Sequence, residues 1–409
     1  MLLALGLGWL AVIAAHLDLF EQGLSSRVLW AVDSKVYLQT ANWILGQAPI
    51  EEAGVGPAVY PVLFPALFGL TWRVHPVLVV VVQAALWLSA AGLLVGIGQH
   101  LGGRAWVGYG VGLLFLSLVA PAALVFHGLS DVWSMFAAVM SLYLLVRHAE
   151  TRSPRTMAAA VLWLSIATLI KSVFVYPTLG VAVAGAWLHR SRPSRALWCF
   201  AAVGPVIAQS VLMFELHGIA RPAAADTYTL GVYFLNRLEH PHDKATLRAV
   251  HDVRHREFIA SSLSGTLPEL SQALRSRLSE ALRTRPKAVL STLLLNLDEN
   301  SRAGSSFVQG GLRLLSVRQN TFATRAIVVL VVAAVLLEVR RRRRANGWPP
   351  GPELLLLVYL TVAPVYFLVT TSLAFWQGDR YALLYFPPIL GLLALVVGGM
   401  SARRPSTAL

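Results

Sequence analysis

Long apolar blocks constrain this chain more than any other feature of its sequence. A helix of about twenty apolar residues crosses the hydrocarbon core of a bilayer, and blocks of about that length recur along the chain. Beyond a first block at 1–20, they cover 76–98, 105–126, 132–146, 157–170, 173–188, 196–216, 325–339, 354–373 and 381–400. The sequence therefore predicts an all-α integral membrane protein with about ten transmembrane helices.

The charged residues favour the same class of protein. The formal net charge is +14, but Lys and Arg occur in short clusters between apolar blocks, as membrane topology signals do. This pattern argues against a nucleic-acid-binding surface, which needs a continuous basic face. Cys199 is the single cysteine, so an intramolecular disulfide is excluded.

A shorter apolar block at 60–72, which contains Pro61 and Pro65, decides the orientation of everything after it. Lys and Arg in short loops concentrate on the cytoplasmic side. If this block does not span, the arginine clusters all fall on one side, at 104, 147–155, 190–195, 340–344 and 403–404. We therefore predict an interfacial or re-entrant outer helix at 60–72 and a multi-pass cytoplasmic-membrane protein with both termini in the cytoplasm.

With that orientation, two long segments lie outside, at 21–73 and 217–324. The expected organisation is an N-terminal membrane domain at 1–216 that includes the first outer loop, an outer helical region at 217–324, and C-terminal membrane helices at 325–409. Within the outer region, leucines recur at helical spacing, at Leu263, Leu267, Leu270, Leu274, Leu278 and Leu282. They predict surface helices lying over the membrane domain.

The first outer loop carries a carboxylate close to the predicted membrane surface. Asp33, Tyr37 and Ala41 recur at helical spacing and share one face of a predicted short helix. A carboxylate there is well placed to act on a lipid-linked substrate. Its alternative roles are a solvated charge and the N-cap of that helix.

Three motifs, taken in order, resemble those of the C-type membrane glycosyltransferases, which use polyprenyl-phosphate sugars. They are the pattern of Asp33, Tyr37, Ala41 and Gly46, the Tyr-Pro-x-Leu-x-Pro block from Tyr60, and the Arg-Tyr followed by two prolines from Arg380. The likeness is greatest to family 39, which includes the protein O-mannosyltransferases and the bacterial lipid A aminoarabinose transferases, and it weakens over 216–324. It implies the C-type glycosyltransferase fold with an outward-facing active site.

The resemblance implies two acidic site residues. Asp33 matches the family's catalytic base or acceptor-positioning carboxylate, although Ser34 stands where many relatives have a second acid. Asp131 matches an acidic site in the next outer loop, and a helix cap is its alternative role.

The resemblance also implies groups that bind the donor. Lys171 and Arg380 match basic residues that face the donor phosphate. Their alternatives are a lysine that snorkels to the headgroups and an arginine paired with Asp379. Tyr37, Tyr60 and Tyr381 are expected to bind the substrate, by contact with its sugar or its lipid chain.

No metal site is predicted from the two polar clusters of the outer region. Asn296, Asp298, Glu299 and Asn300 match no ion-binding loop and indicate a capped surface turn. His251 and His255 are four residues apart, as helical ligands can be, but a third ligand is missing. No cofactor is therefore predicted, and a requirement for Mg²⁺ or Mn²⁺ is left open.

Together these patterns predict an inverting glycosyltransferase that acts by single displacement at the outer face of the cytoplasmic membrane. The donor would be a polyprenyl-phosphate sugar and the acceptor a lipid, a glycan or a protein. The alternatives are a lipid or solute transporter, which needs charges or broken helices at the bilayer midplane, and a membrane scaffold protein. The enzyme hypothesis requires that Asp33, Asp131, Lys171 and Arg380 converge on one cavity.

Overall fold

The computed structural model describes residues 1–23, 31–241, 243–345, 351–375 and 378–401. Within these ranges the chain is helical and contains no β-strand. The main helices are Leu2–His16, Val32–Ile44, Leu63–Val74, Pro76–Gly102, Ala105–Leu116, Asp131–Thr151, Pro154–Ile170, Val175–Leu188, Pro193–Ala201, Gly204–His217, Lys244–Ser264, Leu267–Thr284, Pro286–Ser301, Gly310–Ala345, Gly351–Thr371 and Gly378–Ser401. The predicted all-α membrane fold is thereby confirmed.

Four of the described helices are long and apolar enough to cross a membrane: Pro76–Gly102, Asp131–Thr151, Gly310–Arg340 and Gly351–Thr371. A fifth span results if Pro193–Ala201 and Gly204–His217, which meet at 47°, are counted as one bent helix. The other predicted blocks form shorter apolar helices or, in the last helix, a shorter apolar stretch at Ala382–Gly398, so a total of about ten spans stays a prediction.

Contacts between helix ends define two ends of the bundle. Nδ1 of His100 lies 2.6 Å from a carboxylate oxygen of Glu150, and the rings of His148 and His189 are 5.4 Å apart. These contacts bring the loops after Gly102, Thr151 and Leu188 to one end, which carries the arginine clusters and is called the basic end. The helix starts at Asp131 and Gly378 lie at the opposite end.

Glycines allow three helices to approach closely at the basic end of the bundle. The helices Pro76–Gly102 and Ala105–Leu116 form a hairpin in which a β-carbon on Gly98 would lie 2.8 Å from Cα of Gly108. In the last helix, a β-carbon on Gly398 would lie 2.7 Å from Cα of Gly102. Small residues let helix backbones pack closely in membranes, where apolar burial gives little driving force between helices.

The block predicted as one helix at 105–126 is broken after Leu116. The backbone N–H of Val119 donates to Oε1 of Gln319 at 2.9 Å, and Nε2 of Gln319 donates to the carbonyl of Ser117 at 2.8 Å. One side chain thus satisfies two backbone groups that the break releases, as an apolar environment requires.

The first-loop helix Val32–Ile44 packs against Leu63–Val74, the helix formed by the proline block. Ala41 is fully buried, and a β-carbon on Gly69 would lie 2.4 Å from its side chain. Twelve helical residues extend about 18 Å, which is less than the roughly 30 Å of hydrocarbon in a bilayer. This length agrees with the predicted non-spanning role of 60–72.

The predicted surface helices of the outer region form, as Lys244–Ser264 and Leu267–Thr284. Of the leucine series, Leu267, Leu270, Leu274 and Leu278 pack in apolar clusters, whereas Leu263 and Leu282 are exposed. The leucines in the middle of the series thus pack against other apolar residues, whereas the first and the last are exposed.

The predicted surface turn at 296–300 is instead the end of the helix Pro286–Ser301. Nδ2 of Asn296 donates to the carbonyl of Ser372 at 2.8 Å, and Nδ2 of Asn300 donates to those of Thr371 and Ala374 at 3.0 and 2.7 Å. These carbonyls lie at the end of Gly351–Thr371, where helical partners run out. The two buried amides thus cap a membrane helix.

Candidate active site

Asp33 lies in the first turn of Val32–Ile44, and Ser34 beside it makes the capping contacts. The hydroxyl of Ser34 accepts a hydrogen bond from the N–H of Ala31 at 2.9 Å and donates to the carbonyl of Gly128 at 2.9 Å. A hydroxyl can make both contacts, whereas an ionised carboxylate can only accept. Ser34, which departs from the family pattern, therefore caps the helix and fastens it to the next loop, and this leaves Asp33 to other partners.

Asp131 joins two cations at the start of the helix Asp131–Thr151. It is fully buried, and its Oδ1 accepts from Nζ of Lys171 at 2.6 Å. Its Oδ2 accepts from Nη2 and Nε of Arg380 at 3.2 and 3.4 Å. The N-cap of this helix is Ser130, so the carboxylate of Asp131 is used for ion pairing.

Arg380 connects the two predicted acidic residues. Its Nη1 lies 2.8 Å from Oδ2 of Asp33, on the edge of the guanidinium that Asp131 leaves free. Asp33, Arg380, Asp131 and Lys171 thus form one chain of charges, called the site cluster, with two carboxylates against two cations. The alternative pairing with Asp379 falls on a side chain outside the described part of the protein.

Burial and charge set the protonation of the two cations. Burial lowers the pKa of Lys171, and Asp131 opposes that shift. Burial acts to lower the pKa of Arg380 as well, but Asp131 and Asp33 raise it well above its ordinary value. Arg380 therefore stays charged at any pH that the protein meets.

Tyr37 and Tyr60 lie beside Asp33. Their ring centroids are 4.7 Å apart, and the hydroxyl of Tyr37 lies 3.2 Å from Oγ of Ser130. Burial raises the pKa of both tyrosines above the ordinary value, so both keep a neutral hydroxyl. The third predicted substrate-binding residue, Tyr381, is in the last helix, and its side chain lies outside the described part of the structure.

A cavity of about 860 Å³ opens in front of the site cluster. Asp33, Tyr37, Tyr60, Lys171 and Arg380 line one end of it. Each of the three charged side chains keeps about a fifth of its surface exposed, at 22%, 18% and 20% for Asp33, Lys171 and Arg380. Asp131 lies behind the two cations and does not reach the cavity.

Apolar side chains from two helices form the walls of the cavity. Tyr176 and Leu179 come from Val175–Leu188, and Ile207, Val211 and Phe214 come from Gly204–His217. All five are also exposed on the outside of the protein. The walls, called the apolar groove, therefore continue onto a surface suited to lipid rather than to water.

The cavity also contains residues that the sequence did not single out. Arg221, Asp226, Tyr228 and Tyr233 also line it, in the segment that follows Gly204–His217. The hydroxyl of Tyr228 lies 2.8 Å from Nδ1 of His255. These residues belong to the region where the family resemblance weakens, and they follow no regular spacing that would have marked them.

The histidines of the site region make ordinary contacts. The ring of His127 packs 3.9 Å from that of Phe307, and burial lowers the pKa of His127 to about 4. His251 and His255 stack with their rings 6.2 Å apart. Among the residues that the structure describes, no three His, Cys, Asp or Glu side chains are grouped so that they could hold a metal ion.

Comparisons with known proteins give a distant structural likeness. No protein-family model and no curated protein matches the chain. It is similar to the Archaeoglobus fulgidus oligosaccharyltransferase tethered to an acceptor peptide with the NVT sequon, at 10% identity over 96% of this chain and a TM-score of 0.47. The same protein in complex with Zn and sulfate gives 12% identity over 95% of this chain and a TM-score of 0.46. The chain spans about half of that protein, at 49% and 48% of its length.

Proposed function

We propose that this protein is a glycosyltransferase of the C type, which moves a sugar from a polyprenyl-phosphate donor to an acceptor hydroxyl at the outer face of the cytoplasmic membrane. The observation that carries the proposal is the shared cavity, where Asp33, Lys171 and Arg380 meet an apolar groove. The ordered motifs of the sequence support the same function, because three of them contribute Asp33, Tyr60 and Arg380 to that cavity.

The cavity suits an amphipathic donor. An isoprenoid chain would lie in the apolar groove between Val175–Leu188 and Gly204–His217, with its phosphate toward Lys171 and Arg380. A guanidinium and an ammonium together suit a phosphate, because charge-assisted hydrogen bonds are among the strongest polar contacts in proteins. Asp33 would face the sugar that the phosphate carries.

The transfer would be a single displacement. The oxygen of the acceptor hydroxyl attacks the anomeric carbon, and the bond from that carbon to the phosphate oxygen breaks. The electron pair of the broken bond stays on the phosphate, where Arg380 and Lys171 stabilise the developing negative charge. Asp33 takes the proton of the attacking hydroxyl, and the configuration at the anomeric carbon is inverted.

Asp131 would be a positioning residue in this scheme, although the sequence had suggested a catalytic role. Its two oxygens hold Lys171 and the Nε and Nη2 edge of Arg380, which fixes how far apart the two cations sit. The Nη1 group of Arg380 pairs with Asp33, and the donor phosphate would displace Asp33 to bind there. Donor binding would then free the Asp33 carboxylate for the acceptor.

A panel of donors tests the function directly. The purified protein in lipid nanodiscs is incubated with radiolabelled polyprenyl-phosphate sugars and with a membrane extract as the source of acceptors. We expect transfer from at least one donor by the wild-type protein and almost none by the Asp33→Asn variant. Absence of transfer from every donor, together with uptake of a donor into proteoliposomes, would favour a transporter.

The proposed orientation has its own test. Ser264 is exposed at the end of Lys244–Ser264, and Cys199 is buried. A Ser264→Cys variant in a Cys199→Ser background should react with a membrane-impermeant thiol reagent in whole cells. Labelling that occurs only after lysis would place the outer region in the cytoplasm instead.

A further inference from the structure

A second pocket, of about 490 Å³, lies between the chain at 218–221 and one face of the helix Leu267–Thr284. This volume falls within the range of pockets that bind small molecules, which is roughly 300–1,000 Å³. Its polar lining consists of Arg221, Ser271, Gln272, Arg275, Ser276 and Ser279, and we call it the arginine pocket.

The arginine pocket combines two cations with no acidic residue in its lining. Asp226 pairs with both guanidiniums, and its Oδ2 lies 3.2 Å from Nη2 of Arg275. Asp226 itself lines the main cavity and not the pocket. One carboxylate is thus shared by two arginines, and this group of three carries one net positive charge on the pocket side.

Arg221 is held in place before any ligand arrives. Its Nη2 donates to Oγ1 of Thr227 at 2.6 Å and to Oγ of Ser271 at 2.8 Å, and only 18% of the side chain is exposed. A guanidinium that is already fixed loses little conformational freedom on binding an oxyanion. Arg275 is 60% exposed, so solvent weakens its pairing with Asp226 and a ligand can compete for it.

We propose that the arginine pocket binds the phosphate of a sugar phosphate or of a similar hydroxyl-bearing phosphate ester. Arg275 and Arg221 would hold the phosphate, because a guanidinium fork fits phosphate oxygens. The hydroxyls of Ser276 and Ser279 and the amide of Gln272 would donate to and accept from ligand hydroxyl groups. Cationic ligands are disfavoured, because the lining contains two arginines and no acidic residue.

The place of the pocket indicates what the ligand does. Arg221 lines both the arginine pocket and the main cavity, so a ligand bound there lies beside the cavity that contains Asp33. If the proposed glycosyltransferase activity holds, this ligand is the acceptor, and the acceptor carries a phosphate. This last step rests on the proposed function, whereas phosphate binding itself does not.

Arginine labelling tests the binding without any need for sugar transfer. The wild-type protein in phosphatidylcholine nanodiscs is treated with phenylglyoxal, and labelling of each arginine is read by peptide mass spectrometry. Inorganic phosphate and glucose 6-phosphate should protect Arg275 several-fold, while glucose should not. The control is Arg283, which is exposed on the same helix but lies outside the pocket lining. Equal labelling of Arg275 and Arg283 with and without these ligands would overturn the proposal.

Two further arms identify the source of the phosphate and the role of Arg275. Protection that appears only in phosphatidylglycerol nanodiscs would keep the phosphate site and assign it to a lipid headgroup.

In equilibrium dialysis with radiolabelled glucose 6-phosphate, Arg275→Gln should weaken binding about tenfold, the typical effect of losing a hydrogen bond to a charged group. Arg283→Gln should bind as the wild type does, and an unchanged affinity in Arg275→Gln would exclude Arg275 as a ligand. Protection of Arg380 by a polyprenyl phosphate is scored separately and reports on the proposed donor site.

Discussion

Asp131 and Glu239, like Asp226, are each shared by two cations, and Asp131 and Glu239 differ in burial. Asp131 lies in the site cluster and is fully buried. Glu239 lies in the outer region, accepts from Arg254 at 2.6 Å and also from Arg277, and keeps 25% of its side chain exposed. The comparison tests how burial changes the role of a carboxylate that two cations share, although Arg380 also pairs with Asp33.

Burial should make the two groups behave differently. Removing water strengthens the attraction between charges and also raises the cost of leaving one of them unpaired. Near the surface, solvent weakens the attraction between the charges and solvates a charge whose partner is removed. We therefore expect Asp131 to control both local stability and the geometry of the site, and Glu239 to contribute little to either.

The largest effect is expected for Asp131→Asn. The variant removes the buried carboxylate that Lys171 and Arg380 share, and removing one partner of a buried pair costs about 3 kcal/mol or more of the free energy of unfolding. The midpoint of thermal unfolding in detergent should fall accordingly. A second variant, Asp131→Asn with Lys171→Met, removes one of the two cations that Asp131 balances and should regain part of the loss. If Asp131→Asn unfolded like the wild type, the contrast with Glu239 would fail.

A large effect on rate alone is expected for Asp33→Asn. The amide keeps the size of the side chain but not its basicity, and general-base assistance is typically worth about 10²–10⁴ in rate. Transfer should fall by at least about a hundredfold, while the unfolding midpoint stays close to that of the wild type, since Asp33 is partly exposed. Glu51→Gln, an exposed acid in the same loop, is the control and should retain activity. Transfer by Asp33→Asn at the parent rate would remove the proposed base.

A smaller effect is expected for Arg380→Lys. The lysine keeps the charge, but its ammonium is not planar. It cannot donate two N–H groups to Asp131 and a third toward the cavity in one plane, as the guanidinium does. The KM for the donor should rise about tenfold, which is the typical effect of losing a hydrogen bond to a charged group. Arg283→Lys serves as the control for an arginine away from the cavity. An unchanged donor KM in Arg380→Lys would mean that the planar fork is not needed.

The smallest effect is expected for Glu239→Gln. Ion pairs that solvent reaches contribute about 0–1 kcal/mol, and Glu239 keeps a quarter of its side chain exposed, so the unfolding midpoint should change little and transfer should persist. Increasing the salt concentration should reduce even this small difference, because exposed charges are screened. A loss as large as that of Asp131→Asn would show that burial does not separate the two groups.

The sequence predicted the helical membrane fold because membrane helices are long and apolar, and that signal is local. It also named four charged residues that the structure brings into one cluster. Composition could not have paired Arg380 with Asp131 across 249 positions, because an ion pair at that separation has no periodic signature. The family resemblance predicted that both residues face one cavity, but it did not predict that they pair with each other.

Other features were missed because their partners lie far away in the sequence. Asn300 looked like part of a surface turn, but it donates to Ala374, 74 positions later. Arg221 and Arg275 are 54 positions apart by number, and Asp226 links them only in the folded chain. A polar residue beside apolar blocks can be exposed or can satisfy a buried carbonyl, and only its three-dimensional neighbours decide between these two roles.

The single side chain that bridges the break after Leu116 has a consequence for biogenesis. Gln319 follows Ser117 and Val119 by about two hundred positions, at separations of 202 and 200. A ribosome therefore synthesises the break long before it synthesises the residue that completes it. During insertion, this early hairpin must either keep its released backbone groups near water or depend on the insertion machinery, until a helix from the last third of the chain arrives.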